Sequence, residues 1–264
     1  MSEPVFMFDG GDPAVRQGYE AAQRSFKYFW RELSWEHRRI VPGLDMAMVK
    51  LPFTDGPRTD GNPEYEHMWI GEVDFDGETI SGVLLNSPNW LTSVQEGDSV
   101  QAPFSALEDW MMTVDGQAYG GFTVNQMRAG MNSRERKKHD EAWGLDFGDP
   151  AVVLVEIDRE EKGRRGRSLD AQEGFRDHPM CVNMLEKFEA HLAGNPSEVH
   201  GPDEAGFTLL HREALAGNLG LVKILVQHGA DVAAKTPSGR TAAELARGIG
   251  WPEIAEYLDE QGKT

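Results

Sequence analysis

Cysteine is almost absent. Cys181 stands alone in 264 residues, so no internal disulfide can form and a reducing compartment is expected. Long apolar runs are missing too: stretches such as Ala151 to Val155 fall far short of the roughly 20 residues that a membrane-spanning helix needs. The opening residues MSEPVFMFDGGDP have neither the basic start nor the roughly ten-residue apolar core of a secretory signal, and the cytoplasm is the expected location. Basic charge is scarce. Against 44 acidic side chains stand 26 basic ones, a formal net charge of −18. Between Thr59 and Met127 there is no lysine or arginine at all, while twelve aspartates and glutamates occur. Residues 1–150 hold 13 basic and 25 acidic side chains, so −12 of the total belongs to them. Such a field repels a phosphate backbone and anionic lipid, which argues against nucleic acid and membrane and makes a basic protein the complementary partner. Recognised metal spacings are lacking as well. The eight histidines form no HExxH, the one cysteine no CxxC, and neither Gly10-Gly11 nor Gly120-Gly121 belongs to a phosphate loop, so no metal and no cofactor are expected.

What the sequence does contain, at its C-terminal end, is an internal repeat. Gly206, Thr208, Gly217, Leu221 and Leu225 recur 33 positions later as Gly239, Thr241, Gly250, Ile254 and Leu258. The first copy carries Thr208, Leu210, His211 and the turn Gly229-Ala230-Asp231, and the pair resembles the ankyrin repeat. A further step back of 33 places Phe188, Leu192 and Val199 in the same register, as a degenerate repeat or capping helix. The array is thus divided into a cap at 173–202 and repeats at 203–235 and 236–264. Two clear repeats bury little surface, so this all-α array is expected to lean on the rest of the chain. Residues 159–172, including KGRRGR, read as a charged linker or long hairpin loop.

The preceding residues, 1–158, read as an α+β domain, a small and mostly antiparallel sheet with flanking helices. Asp12-Pro13 opens a helix whose apolar stripe runs Val15, Tyr19, Ala22, Phe26, Phe29, Leu33 and which ends before Pro42-Gly43. Strand signals follow from Met46. Trp69, Val73 and Phe75 lead into the turn Asp76-Gly77 and a return strand from Ile80 to Leu85, with further strands expected at Ser99 to Phe104, Ala118 to Val124 and Ala151 to Ile157. Ser133 to Trp143 reads as a helix.

The stretches RIVPGLDMAMVKLPF, EHMWIGEVDFDG, GVLLNSP, EGDSV, LEDWM, YGGFT and RERKKHDEAWGLDFGDP together resemble the YegJ-like family, a bacterial domain of unknown function sometimes joined to ankyrin repeats. The resemblance spans residues 14–150 and implies no activity; the ankyrin part implies protein recognition.

Candidate residues follow from charge and chemistry. Glu64, Glu66, Glu72, Asp74, Asp76 and Glu78 crowd one hairpin without a basic neighbour and are the expected partner-binding residues. Strict alternation places Glu66, Met68, Ile70, Glu72 and Asp74 on one face and His67 and Trp69 on the other. No catalytic set is expected. That alternation splits a cluster of Glu64, Glu66 and His67 with Asp74 and Asp76; the next candidate is His139-Asp140 with Asp109 beside Trp110, although neighbours on a helix do not face each other, and an enzyme's pocket would use Trp69, Asp109 and His139. His211 is expected to be structural. The readings left open are a non-enzymatic stoichiometric binder of a basic partner, such as an immunity protein against a nuclease-type toxin; an adaptor or regulator of a housekeeping protein; and an enzyme.

Overall fold

The computed structural model describes residues 13–59, 61–158, 166–171 and 174–263. Asp12, the expected cap of the first helix, and Lys162 to Arg165 of the basic run lie outside the described residues. Contacts divide the chain into two compact units, residues 1–29 with 40–172 and residues 30–39 with 173–264.

The first unit is built on a six-stranded antiparallel sheet with β1 (Met46–Phe53), β2 (Glu66–Phe75), β3 (Thr79–Leu84), β4 (Ser99–Pro103), β5 (Asp109–Val114) and β6 (Gln117–Gly120), in the order β4-β3-β2-β1-β5-β6. Residues 13–29 of α1 (Pro13–Glu36) cover one face, as their apolar stripe requires. Phe26 packs on Phe75 and Phe104, each at 5.2 Å between ring centroids, and the Trp110 indole N–H donates to the Ala22 carbonyl and Ser25 Oγ. On the other face Met48 and Met111 meet Ala118, Val124 and Phe147, with Trp69 packed against them. β5 is therefore buried on both sides and shows no polar alternation, which is why its sequence DWMMTV carries no strand pattern.

Two sequence expectations are corrected here. The strand expected at Ala118 to Val124 stops at Gly120, because Gly120 and Gly121 have φ of 74° and 68° and turn the chain into α2 (Phe122–Ala129). A Cβ at Gly120 would lie 2.2 Å from the Trp110 carbonyl oxygen, so only glycine fits there. The alternation assumed for β2 also fails partway. The pairing slips by one residue between Gly71 and Asp74, with Glu72 at φ 49°, a β-bulge that leaves Glu66, Met68 and Ile70 buried with Val73 and Phe75 and sends Glu72 and Asp74 outward.

α3 (Ser133–Trp143) opens on a capping box between Asn132 and Glu135. The strand expected at Ala151 to Ile157 is shorter, β7 (Leu154–Glu156), and pairs antiparallel with β8 (Arg167–Ser168). Arg167, the last residue of KGRRGR, faces Asp158 at 3.2 Å and Glu156 at 3.9 Å.

In the second unit α5 (Leu209–Ala216) with α6 (Leu219–Gln227) and α7 (Ala242–Ile249) with α8 (Pro252–Gln261) form two helix pairs, preceded by α4 (Pro179–Gly194) and a 3-10 turn at Pro196–Val199. Leu192 and Val199, found by the 33-residue step, are buried. The unit also takes in Trp30–Arg39, the end of the first helix and the three residues after it. Trp35 packs with Cys181 and Leu221, stacks on His178 at 5.7 Å and donates to the Asn218 side chain at 3.1 Å, while Asn218 in turn donates to Glu213.

Candidate functional site

The six carboxylates singled out in the hairpin do not form one surface. Glu64, Glu72, Asp74 and Asp76 are exposed and Glu78 is half-buried, whereas Glu66 is buried at 4 % exposure. Asp76 uses one oxygen to accept the Glu78 and Thr79 amides and so shapes the turn; Asp74 accepts from Phe75. Glu66 accepts four hydrogen bonds, from the backbone amides of Asn89, Trp90 and Leu91 and the Asn89 side chain, at 2.7–3.2 Å. Burial pushes its carboxyl up, but these donors outweigh burial and hold it below its ordinary value. It anchors the loop after β3, buried and away from the exposed carboxylates; the bulge in β2 is what separates it from Glu72 and Asp74.

Asp109 is completely buried and accepts from the Trp110, Phe122 and Thr123 amides and the Thr123 hydroxyl. It supplies, from a neighbouring strand, the N-terminal cap that Gly121 cannot give α2. Burial drives its carboxyl up against the pull of those hydrogen bonds. His139 does touch its helix neighbour, contrary to the sequence expectation: its Nδ1 lies 3.0 Å from Asp140. Asp140, however, is held by a two-point contact from buried Arg128 at 2.7 and 2.8 Å, and the His139 ring packs on Phe147. Burial alone would raise the Asp140 carboxyl, but Arg128 and His139 hold it low. Trp69, Asp109 and His139 do not share the cavity described next.

Sequence reasoning missed a cluster at the start of β5. Glu108 accepts from the Tyr19 hydroxyl and binds His67 Nδ1 at 2.7 Å, and burial followed by the Glu108 charge raises the Tyr19 phenol. Tyr19 and His67 open on a cavity of about 130 Å³, also bordered by Lys50, Asn89 and Trp90. Lys50 was discoverable, being the only basic residue between Arg39 and Arg58. Tyr19 and Glu108 carried no local signal, since only the pairing of distant segments unites them.

The second unit presents its repeats through turns of one shape. The amide of Asp203 donates to the Phe207 carbonyl and that of Thr236 to the Arg240 carbonyl, 33 residues on, with Gly206 and Gly239 at φ 82° and 84°. Glu204, Ala205, Pro237 and Ser238 are exposed at their tips. His211 is structural: Nδ1 accepts the Thr208 amide at 3.1 Å and Nε2 donates to the Ala234 carbonyl at 3.0 Å, and burial lowers its pKa so that it stays neutral. Among the described residues no group of three His, Cys, Asp or Glu side chains could hold a metal, and no helix is long and apolar enough to cross a membrane.

Comparison with known proteins adds the relationship. Residues 12–147 match DUF2314, described as an uncharacterized protein conserved in bacteria, and residues 205–237 match the ankyrin repeat. An ankyrin repeat protein of Neisseria meningitidis serogroup B is 43% identical over 256 residues, which cover 97% of this chain and 96% of that one. The uncharacterized protein YegJ of Escherichia coli K12 is 32% identical over 83 residues, 31% of this chain and 50% of its own length. Human protein phosphatase 1 regulatory subunit 27 is 41% identical over 58 residues, 22% of this chain and 38% of its own. The chain belongs to the bacterial DUF2314 family and carries an ankyrin-type protein-interaction module at its C-terminal end.

Proposed function

We propose that this protein is a non-enzymatic, stoichiometric binder of a basic protein in the cytoplasm, with an immunity protein that occludes a nuclease-type toxin as the specific form of that reading. The observation that carries it is the joining, in one chain, of ankyrin turns with an α+β domain whose exposed carboxylates Glu64, Glu72, Asp74 and Asp76 have no lysine or arginine in their stretch of sequence. Ankyrin turns supply specificity, and the acidic field speeds the approach of a partner of opposite sign. A regulatory role on a housekeeping protein is the second reading, favoured by the 58-residue likeness to a phosphatase regulatory subunit.

Copurification from the native host, with mass spectrometry of what stays bound, identifies the partner and separates the two readings. With it in hand, changing the exposed Glu64, Glu72 and Asp74 together to lysine should slow association and flatten its salt dependence while the melting temperature stays nearly constant, Asp76 being spared because it holds the turn. An unaltered rate and salt slope would reduce the acidic surface to a solubility device.

A further inference from the structure

Helix α3 is a basic element on an acidic protein. Four of its eleven residues, Arg134, Arg136, Lys137 and Lys138, are basic, and none of its residues is fully buried. Two of its three carboxylates are occupied within the fold, Glu135 by the capping box and Asp140 by Arg128; the third, Glu141, meets Lys137 in an exposed pair at 3.7 Å, worth little. Among the described residues Arg134 and Lys138 form no ion pair. At the end of the helix Trp143 is 40 % exposed and meets Phe147 edge-on at 5.9 Å. Phe147 belongs to the cluster with Met48 and Met111, and Trp69 packs against that same cluster from β2. Beyond Trp69 this side of the sheet opens. Leu85, whose amide donates to the Trp69 carbonyl and whose side chain lies over Gly71, is 46 % exposed. An open hollow of about 420 Å³ follows over β3 and β4, with Glu72 at its rim; Asp74 pairs across the sheet with Ser81, which also lines the hollow.

One side of the first unit therefore runs from the basic groups of α3, along an apolar strip from Trp143 over Phe147 and Trp69 to Leu85, to the carboxylates Glu72 and Asp74. A face with opposite charges at its two ends and apolar groups between them is complementary to itself under a two-fold rotation. We propose that this face is the interface of a homodimer, in which α3 of each copy lies on β2, β3 and β4 of the other and Arg134, Lys137 and Lys138 meet Glu72 and Asp74. The acidic end has no neutralising group of its own, since no lysine or arginine occurs between Thr59 and Met127. The net charge of −18 on each chain opposes association at long range. In about 0.15 M salt, however, the Debye length is about 8 Å, so remote charges are screened while charges in contact still attract. The dimer shares Glu72 and Asp74 with the basic partner proposed above but does not need that partner. A monomeric chain would leave the partner reading standing, and the absence of a basic partner would leave the dimer standing.

The test is sedimentation velocity of the full chain at about 1–100 µM, in about 0.15 M salt. The wild-type chain should pass from monomer to dimer over that range and go no further. Two charge reversals follow, one on each end of the face: Arg134→Glu with Lys137→Glu and Lys138→Glu, and Glu72→Lys with Asp74→Lys. Each variant alone should dimerise at least about tenfold more weakly. The second reduces the net negative charge by four, so if only overall repulsion mattered it would dimerise more tightly. An equimolar mixture of the two variants should regain most of the wild-type affinity, because in the mixed pair both contacts again set acid against base, a rescue that misfolded chains could not give. A wild-type chain that stays monomeric to about 100 µM, or one that grows beyond a dimer, would overturn the proposal without any variant. So would tighter association of the Glu72→Lys, Asp74→Lys chain, or a mixture of the two folded variants that stays monomeric.

Discussion

Glu66 carries its charge in a place where an unpaired carboxylate would be forced to take up a proton. Its two oxygens each accept two N–H donors from Asn89, Trp90 and Leu91, so the negative charge is what holds the 89–91 segment against the end of β2. Glu66→Gln keeps the shape but swaps one acceptor oxygen for an amide NH2 that points donors at donors. The expected loss of stability at neutral pH is about 1–3 kcal/mol, read from chemical denaturation. The pH dependence has a definite sign. Because the folded carboxyl titrates below its ordinary value near 4.5, its stabilisation is complete above that value and is lost as pH falls through the folded one. The gap between wild type and Glu66→Gln should therefore close on acidification, and a gap that stays constant down to pH 3 would contradict the assignment of the hydrogen bonds to an ionised Glu66.

The helices of the second unit show how one element can be specified by different side chains. Thr208 and Thr241 occupy the same place 33 residues apart and both close capping boxes, yet the reciprocal group is His211 in one and Glu244 in the other. The downstream glycines are stricter. Gly217 ends α5 at φ 79°, and a Cβ there would lie 2.4–2.8 Å from the Trp251 indole, a rigid buried ring. Gly217→Ala combines backbone strain with overpacking and should cost at least about 2 kcal/mol in a denaturation experiment, where an ordinary helix-terminal substitution costs under 1. A change below that would mean Trp251 moves aside freely. This kind of element was legible in the sequence because its determinants are local: the 33-residue recurrence of Thr208 and Gly217 as Thr241 and Gly250 marks the repeats, and in the structure these threonines cap the helices and these glycines end them. The failures were of another sort. β5 was invisible because both of its faces are covered, and the faces of β2 were misassigned because a bulge is one extra residue whose place depends on the partner strand. The acidic hairpin was visible as composition, but composition could not tell that Glu66 turns inward, nor that Tyr19, His67 and Glu108, far apart in the chain, would meet in one cluster.

Over the whole molecule, the chain order and the packing do not divide at the same place. The expectation from sequence was that two clear ankyrin repeats bury too little surface to stand alone; the second unit draws on Trp30–Arg39, more than a hundred residues upstream of its helices. Trp35 is 4 % exposed among Cys181, Leu221 and the His178 ring, and its indole N–H begins a hydrogen-bonded chain through Asn218 to Glu213, which Arg38 meets at 3.0 Å. Asn218 and Glu213 are themselves buried, so removing the indole leaves a cavity and also orphans an acceptor. Trp35→Ala should cost the unit about 3–5 kcal/mol, and Trp35→Phe less, since the ring survives and only the N–H is lost. Hydrogen exchange on the full chain reads the loss where it occurs, as faster exchange in α4 and α6. Residues 173–264 expressed alone lack Trp35 altogether and should melt without a sharp transition; a cooperative, high-temperature melt of that fragment, or unchanged exchange in Trp35→Ala, would show that the repeats and their cap hold together without the first helix.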